Sequence, residues 1–155
     1  MAFITNRTQR DVTRRAELAR KGFANMTESE RAEWLAPSKG AYNHTDLNRV
    51  EEAVAKIVSY MKALDMEGAF YPTRTWSVDD VPTKAEMDRY IANVKAIRNA
   101  LPILHHVMPL PPASMAGLTY AGANAIEEIL SVAMQYVESR IQVYPFSGEI
   151  YGGEV

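Results

Sequence analysis

Residues Thr45 to Leu64 read TDLNRVEEAVAKIVSYMKAL, and their spacing decides the fold class. Leu47, Val50, Val54, Ile57, Val58, Met61 and Leu64 recur at intervals of three and four, which makes one apolar stripe on a helix and fits a strand poorly. Thr45 has the hydroxyl of an N-cap, and Asp46 follows in the first turn, where the helix dipole favours a carboxylate. Glu51, Glu52, Lys56 and Lys62 fall largely off the stripe, with Glu52 and Lys56 at the i,i+4 spacing of a helix-stabilising pair. At 1.5 Å per residue the stretch is a rod of roughly 30 Å, which needs packing partners along its length. Gly68 is the expected stop.

A second copy of the pattern lies near the C-terminus. NRVEEAVAKIVSY, from Asn48, aligns without a gap on NAIEEILSVAMQY, from Asn124. Asn48/Asn124, Glu51/Glu127, Glu52/Glu128 and Tyr60/Tyr136 are identical, and Val50/Ile126, Val54/Leu130 and Val58/Met134 are apolar in both. Two readings stay open: an internal duplication with pseudo-twofold symmetry, and two buried helices of one bundle that share a pattern for packing reasons.

Around these two helices the chain divides by its capping signals. Residues 1–7 read as a short extended arm. Thr8 with Asp11 forms a capping box for a helix to about Lys21, stopped by Gly22. Thr27 with Glu30 opens a short helix to Leu35, with Trp34 and Leu35 as its expected buried anchors. Residues 69–82 read as irregular or as containing a short strand, with Phe70, Tyr71 and Trp76 capping one end of the bundle. Thr83 with Glu86 starts a third long helix carrying Met87, Tyr90, Ile91, Val94, Ile97 and Leu101 on one face, and Pro102 ends it. Residues 102–118 form a proline-rich connector, long enough to cross the bundle from end to end. The last helix is expected from about Tyr120 to Ile141. The tail VYPFSGEIYGGEV, with Pro145, Gly148, Gly152 and Gly153, is expected to be non-helical. The fold predicted is all-α: three long helices in a bundle (1–142), one or two short N-terminal helices, the proline-rich connector, and an aromatic and glycine tail (143–155).

Composition narrows the function. One domain of 155 residues can bury a single core. A net charge of −2 gives no overall field for nucleic acid or an anionic membrane. The early cluster Arg7, Arg10, Arg14, Arg15, Arg20 and Lys21 is interrupted by Asp11 and Glu17 and reads as a solvated helix face. There is no cysteine, so disulfides and thiol chemistry are excluded. The N-terminus lacks the apolar run of a secretory signal, and no stretch approaches the ~20 apolar residues of a membrane span. The expectation is a protein made and folded in a bacterial cytoplasm.

No motif carries chemistry. Helical di-metal centres use Glu-x-x-His on facing helices, and no Glu-x-x-His occurs. Glu51 and Glu127 are instead expected to bond to backbone, to arginine or to water. His105 and His106 are adjacent on a proline-flanked loop, a poor chelating geometry, and His44 precedes a helix. There is neither a nucleophile elbow nor a phosphate-cradling glycine loop. The expectation is a non-enzyme with no catalytic, cofactor or metal residues. Tyr144, Phe146, Ile150 and Tyr151 in the tail are the candidate interaction residues.

The string NRTQRDVTRRAELARKGFANMTESERAEWL, followed by KGAYNHTDLNRVEEAV, resembles a segment of structural proteins of tailed phages and prophages of Firmicutes. Arg7, Thr8, Gln9, Asp11 and Val12 match its first block; Lys21, Gly22, Met26, Thr27 and Glu30 its second. Lys39, Gly40, Tyr42, Thr45, Asp46, Asn48, Arg49, Val50 and Glu51 match its third. Leu118-Thr119-Tyr120, Asn124, Ile126, Glu127 and the closing SGEIYGGE are similar too. The resemblance implies a virion protein, of the tail or its tip, acting through subunit contacts. Its partners would be further copies of itself, as a homo-oligomer, and other virion proteins, with no nucleic acid and no membrane. Two alternatives stay open: a helical adaptor that binds a partner through the aromatic tail, and a receptor module that contacts carbohydrate.

Overall fold

The computed structural model describes the backbone of residues 1–153 and the side chains of residues 1–143. Among the described residues there are five α-helices and no strand: α1 (Gln9–Lys21), α2 (Glu28–Leu35), α3 (His44–Ala63), α4 (Lys84–Ala100) and α5 (Tyr120–Gly153). The all-α class follows from local signals that the side chains satisfy. Thr8/Asp11, Thr27/Glu30 and Thr83/Glu86 each close a capping box, in which side chain and backbone bond reciprocally. Gly22 ends α1 at φ 76°, a left-handed value that suits glycine.

α3 differs at both ends from the sequence expectation. Its N-cap is Asn43, boxed with Asp46, rather than Thr45; the Asn43 side chain accepts bonds from both the Thr45 N–H and the Thr45 hydroxyl. It stops at Ala63 rather than near Gly68. Asp65 takes φ 53°, so that the N–H groups of Met66 and Asp65 bond back to the Met61 and Lys62 carbonyls. A short polar side chain tolerates that conformation, and Asp65 fills the place usually held by glycine.

The core lies between α3, α4 and α5. Val50, Val54, Ile57 and Met61 of α3 meet Ile91, Val94 and Ile97 of α4 and Ile126, Ile129, Leu130 and Val137 of α5. Burying each such side chain contributes about 1.5–3 kcal/mol. Leu35, expected as an anchor, is 75% exposed. Trp34 and Leu35 are neighbours that point about 100° apart around α2, and Trp34 is the one turned inward, stacked on Arg15 with the guanidinium carbon 3.5 Å from the ring centroid.

All three long helices run in the same direction. Between α3 and α5, Arg49 pairs with Glu127 and, further on, Lys56 with Glu138, so both numbers rise together. The strap between α3 and α4 runs back along both. Phe70 and Tyr71 share a cleft with Val58 and Lys62, whereas the Trp76 backbone is held by Asn48, nearer the start of α3. On α4 the order is again reversed: Tyr71 bonds to Asn93, Pro72 to Arg89 and Arg74 to Glu86. Phe70, Tyr71 and Trp76 therefore lie along the side of the helices instead of capping an end; Trp76 is buried and Tyr71 exposed. The proline-rich connector returns in the same manner, with Arg98 donating to the Pro109 carbonyl and Lys95 to that of Ala113. Returning past the 17 residues of α4, about 26 Å, takes roughly eight extended residues, well within either connection.

The expectation of a non-helical tail is overturned in the backbone: α5 continues to Gly153. Pro145 removes one ladder bond, but extending a helix already nucleated and packed gains a bond for each residue added. The boundary at 142/143 therefore falls inside one helix.

The Asn93 amide fixes the strap by accepting from the Tyr71 N–H at 2.8 Å and donating to the Tyr71 carbonyl at 3.1 Å. Asn93→Ala removes both bonds and is expected to cost about 1–3 kcal/mol in denaturant unfolding. Limited proteolysis should then cut first within 69–76; an unchanged cleavage pattern would show that the strap is held by other contacts.

Candidate functional site

The parallel arrangement brings three positive helix ends to one end of the molecule. Asp46 in the first turn of α3 and Glu86 in that of α4 offset two of them. α5 has no acid in its first turn. Glu127, one turn further on, lies fully buried between α5 and α3, at 0% exposure.

Glu127 is the centre of a buried cradle. Its Oε1 accepts from Arg7 and Arg49, each at 2.7 Å. Its Oε2 accepts from Arg49 Nε at 2.8 Å and from the Ile4 N–H at 2.6 Å. Arg7 and Arg49 both reach Asp46 Oδ1 as well, and Arg7 Nη1 donates to the Ile4 carbonyl. Two guanidiniums thus face two carboxylates. Among the described residues, Arg7 Nε is the one buried side-chain nitrogen or oxygen without a partner. Tyr42 stands beside the cradle with its ring centroid 5.5 Å from the Arg7 guanidinium carbon, and its hydroxyl bonds that of Tyr90. Burial pushes both phenols above their usual range, so both hydroxyls stay neutral.

Above the cradle, Asn124 grips the arm. It accepts from the Arg7 N–H at 3.0 Å and donates to the Arg7 carbonyl at 2.9 Å. Asn48 grips Trp76 in the same way, accepting from its N–H at 2.7 Å and donating to its carbonyl at 2.8 Å. One turn after each Asn stands a buried glutamate bound by arginine: Glu127 by Arg7 and Arg49, and Glu51 by Arg89, with the Trp76 indole N–H at 3.3 Å. The identities Asn48/Asn124 and Glu51/Glu127 thus have a shared cause, since each pair holds one extended segment against its helix. Glu51 and Glu127 both bond to arginine, and Glu127 also to a backbone N–H, as the sequence suggested.

Such an arrangement positions segments; it leaves no buried carboxylate of the cradle unpaired for proton transfer or metal binding. Among the described residues no group of three or more His, Asp or Glu is placed to hold a metal ion. His105 bonds through Nε2 to the Arg98 carbonyl. No helix among the described residues is long and apolar enough to cross a membrane. The side chains of Tyr144, Phe146, Ile150 and Tyr151, the candidate interaction residues, lie outside the described residues. Sequence reading did not single out the cradle as a site, although its members Arg7, Tyr42, Asp46, Arg49, Asn124 and Glu127 all stand in the blocks that carry the resemblance. Those blocks, far apart in the chain, converge on one point.

Comparison with models of protein families, with curated proteins and with solved structures gave no match to this chain.

Burial alone pushes the Glu127 carboxyl up, but the bonds from Arg49, the Ile4 N–H and Arg7 together outweigh it and hold it below the usual carboxylate range. A carboxyl depressed in the folded state contributes stability above its unfolded value, about 4.3, and loses it as pH falls through the folded value. Glu127→Gln should therefore flatten the pH dependence of unfolding free energy below about pH 4. At neutral pH it is expected to cost about 3–5 kcal/mol, because buried Arg7 and half-buried Arg49 then face one carboxylate. Denaturant titrations from pH 7 to pH 3 measure both effects.

Proposed function

We propose that this chain is a non-enzymatic structural subunit of a phage or prophage particle, associated with the tail or its tip, acting through contacts with copies of itself and other virion proteins. The resemblance set out above supports the particle, and the geometry of α5 supports the mode of action. The last buried residue among its described side chains is Val137. The helix runs on to Gly153, a further ~24 Å. Along this run Ile141 is half-buried and Val143 is 62% exposed. With Val143 exposed where the described side chains end, this stretch of helix gains stability by packing on a partner. The three long helices serve in this reading as a rigid post, with the extension as the contact element. The same extension suits a helical adaptor equally well, and oligomeric state separates the two.

The solution mass of the intact chain, set beside a chain ending at Gln142, tests the proposal. A defined oligomer that dissociates on truncation is the expected result. A monomer in both cases, across the concentrations at which particle subunits assemble, would falsify self-association through α5.

A further inference from the structure

We propose that residues 1–40 exchange between two copies of the chain, pivoting at Ala41, so that Arg7 of each copy seats in the cradle of the other. The proposal rests on the self-associating reading above and names the element exchanged.

Four observations lead to it. First, beyond the arm, whose Phe3 packs on the core, the segment stands outside it. Its buried apolar residues between the arm and the hinge, Leu18 and Met26, do not belong to the core cluster. Second, it closes on itself as a unit. Gly40 is pressed so tightly on α1 that a Cβ there would lie 2.1 Å from the Asp11 carbonyl oxygen. The chain leaves the bundle at Arg7 and returns beside it at Tyr42, which confines the pivot to the short stretch at Ala41. Short, constrained hinges are where segment exchange arises. Third, the cradle recognises a backbone amide pair and one guanidinium, contacts that are the same whichever copy supplies them. Empty, it would leave Glu127 and Asp46 facing Arg49 alone, so it must be filled by one arm or another. Fourth, the charges are complementary. Residues 1–40 hold eight Lys and Arg against five Asp and Glu, a net +3; with −2 for the whole chain, the remainder holds −5.

The test mixes two full-length variants, R7E and E127R. Alone, each puts three like charges against one opposite charge in its cradle. In an exchanged dimer, one cradle regains the native pair, and in the other the two substituted positions meet as opposite charges. The expected result is a mixture that melts several degrees above either component, with a dimer mass containing one copy of each. A mixture that melts as the superposition of its components overturns exchange, whether or not either variant folds alone. A second variant keeps the native cradle: Gly-Ser-Gly inserted after Ala41 should let the segment fold back on its own bundle and weaken the wild-type dimer about tenfold or more. A dimer unaffected by the insertion overturns exchange and leaves the subunit reading standing. A wild-type chain with no oligomer overturns exchange and the subunit reading together.

Discussion

The buried pairing of Arg7 and Arg49 with Glu127 and Asp46 is the constraint on which the rest of the structure depends. Arg7, Asp46 and Glu127 are buried and Arg49 stands at the rim; taking a charge out of water costs several kcal/mol, offset only where geometry and hydrogen bonds are complete. Here the Arg49–Glu127 pair is bidentate, and the remaining oxygen capacity goes to Arg7 and to a backbone N–H. An apolar contact would tolerate a helix sliding by a turn. This lattice does not, because a shift of α5 against α3 strands a charge. The cradle therefore sets the register of the two helices and ties the N-terminal arm to both.

The second organising feature is the shared direction of α3, α4 and α5. Helices joined by short loops alternate in direction; helices of one direction need connections that travel the full length of the bundle. The two returning segments pack apolar residues on the core, Phe70 and Trp76 on the strap, Leu104 and Met108 on the connector. They are also held by side chains that reach across to their backbones: Asn48 and Asn93 on the strap, Arg98 and Lys95 on the connector. Asn124 does the same for the arm. Each long helix thus contributes an asparagine whose amide grips an extended segment at both its donor and its acceptor.

What could be read from the sequence was local. The capping boxes at Thr8, Thr27 and Thr83 and the stripes of α3 and α4 depend on residues within a few positions of one another, and the helices follow. The stop of α3 was missed because Asp65 took the left-handed position. The helical backbone after Gln142 was missed because Pro145 and three glycines argue against helix locally, whereas propagation from a packed helix depends on what precedes them. Helix direction was not legible, since an asparagine that grips a distant backbone leaves no periodic trace. The cradle was hidden for the same reason: Arg7 meets Asp46 across 39 positions and Glu127 across 120. The repeated Asn-x-x-Glu was the one visible sign, and its meaning appears only with the segments in place.

The clamp between the first residues and the last helix also fixes an order in time. During synthesis Arg7 is made early, but neither Glu127 nor the Asn124 amide exists until most of the chain has been translated. At about 5–20 residues per second that interval is roughly 6–24 s, and the cradle lacks α5 throughout it. α1 and α2 have their capping signals within themselves and need not wait. The arm is thus synthesised well before the groups that fasten it, and for that interval it is free to meet whatever lies near the ribosome, including another copy emerging from the same message.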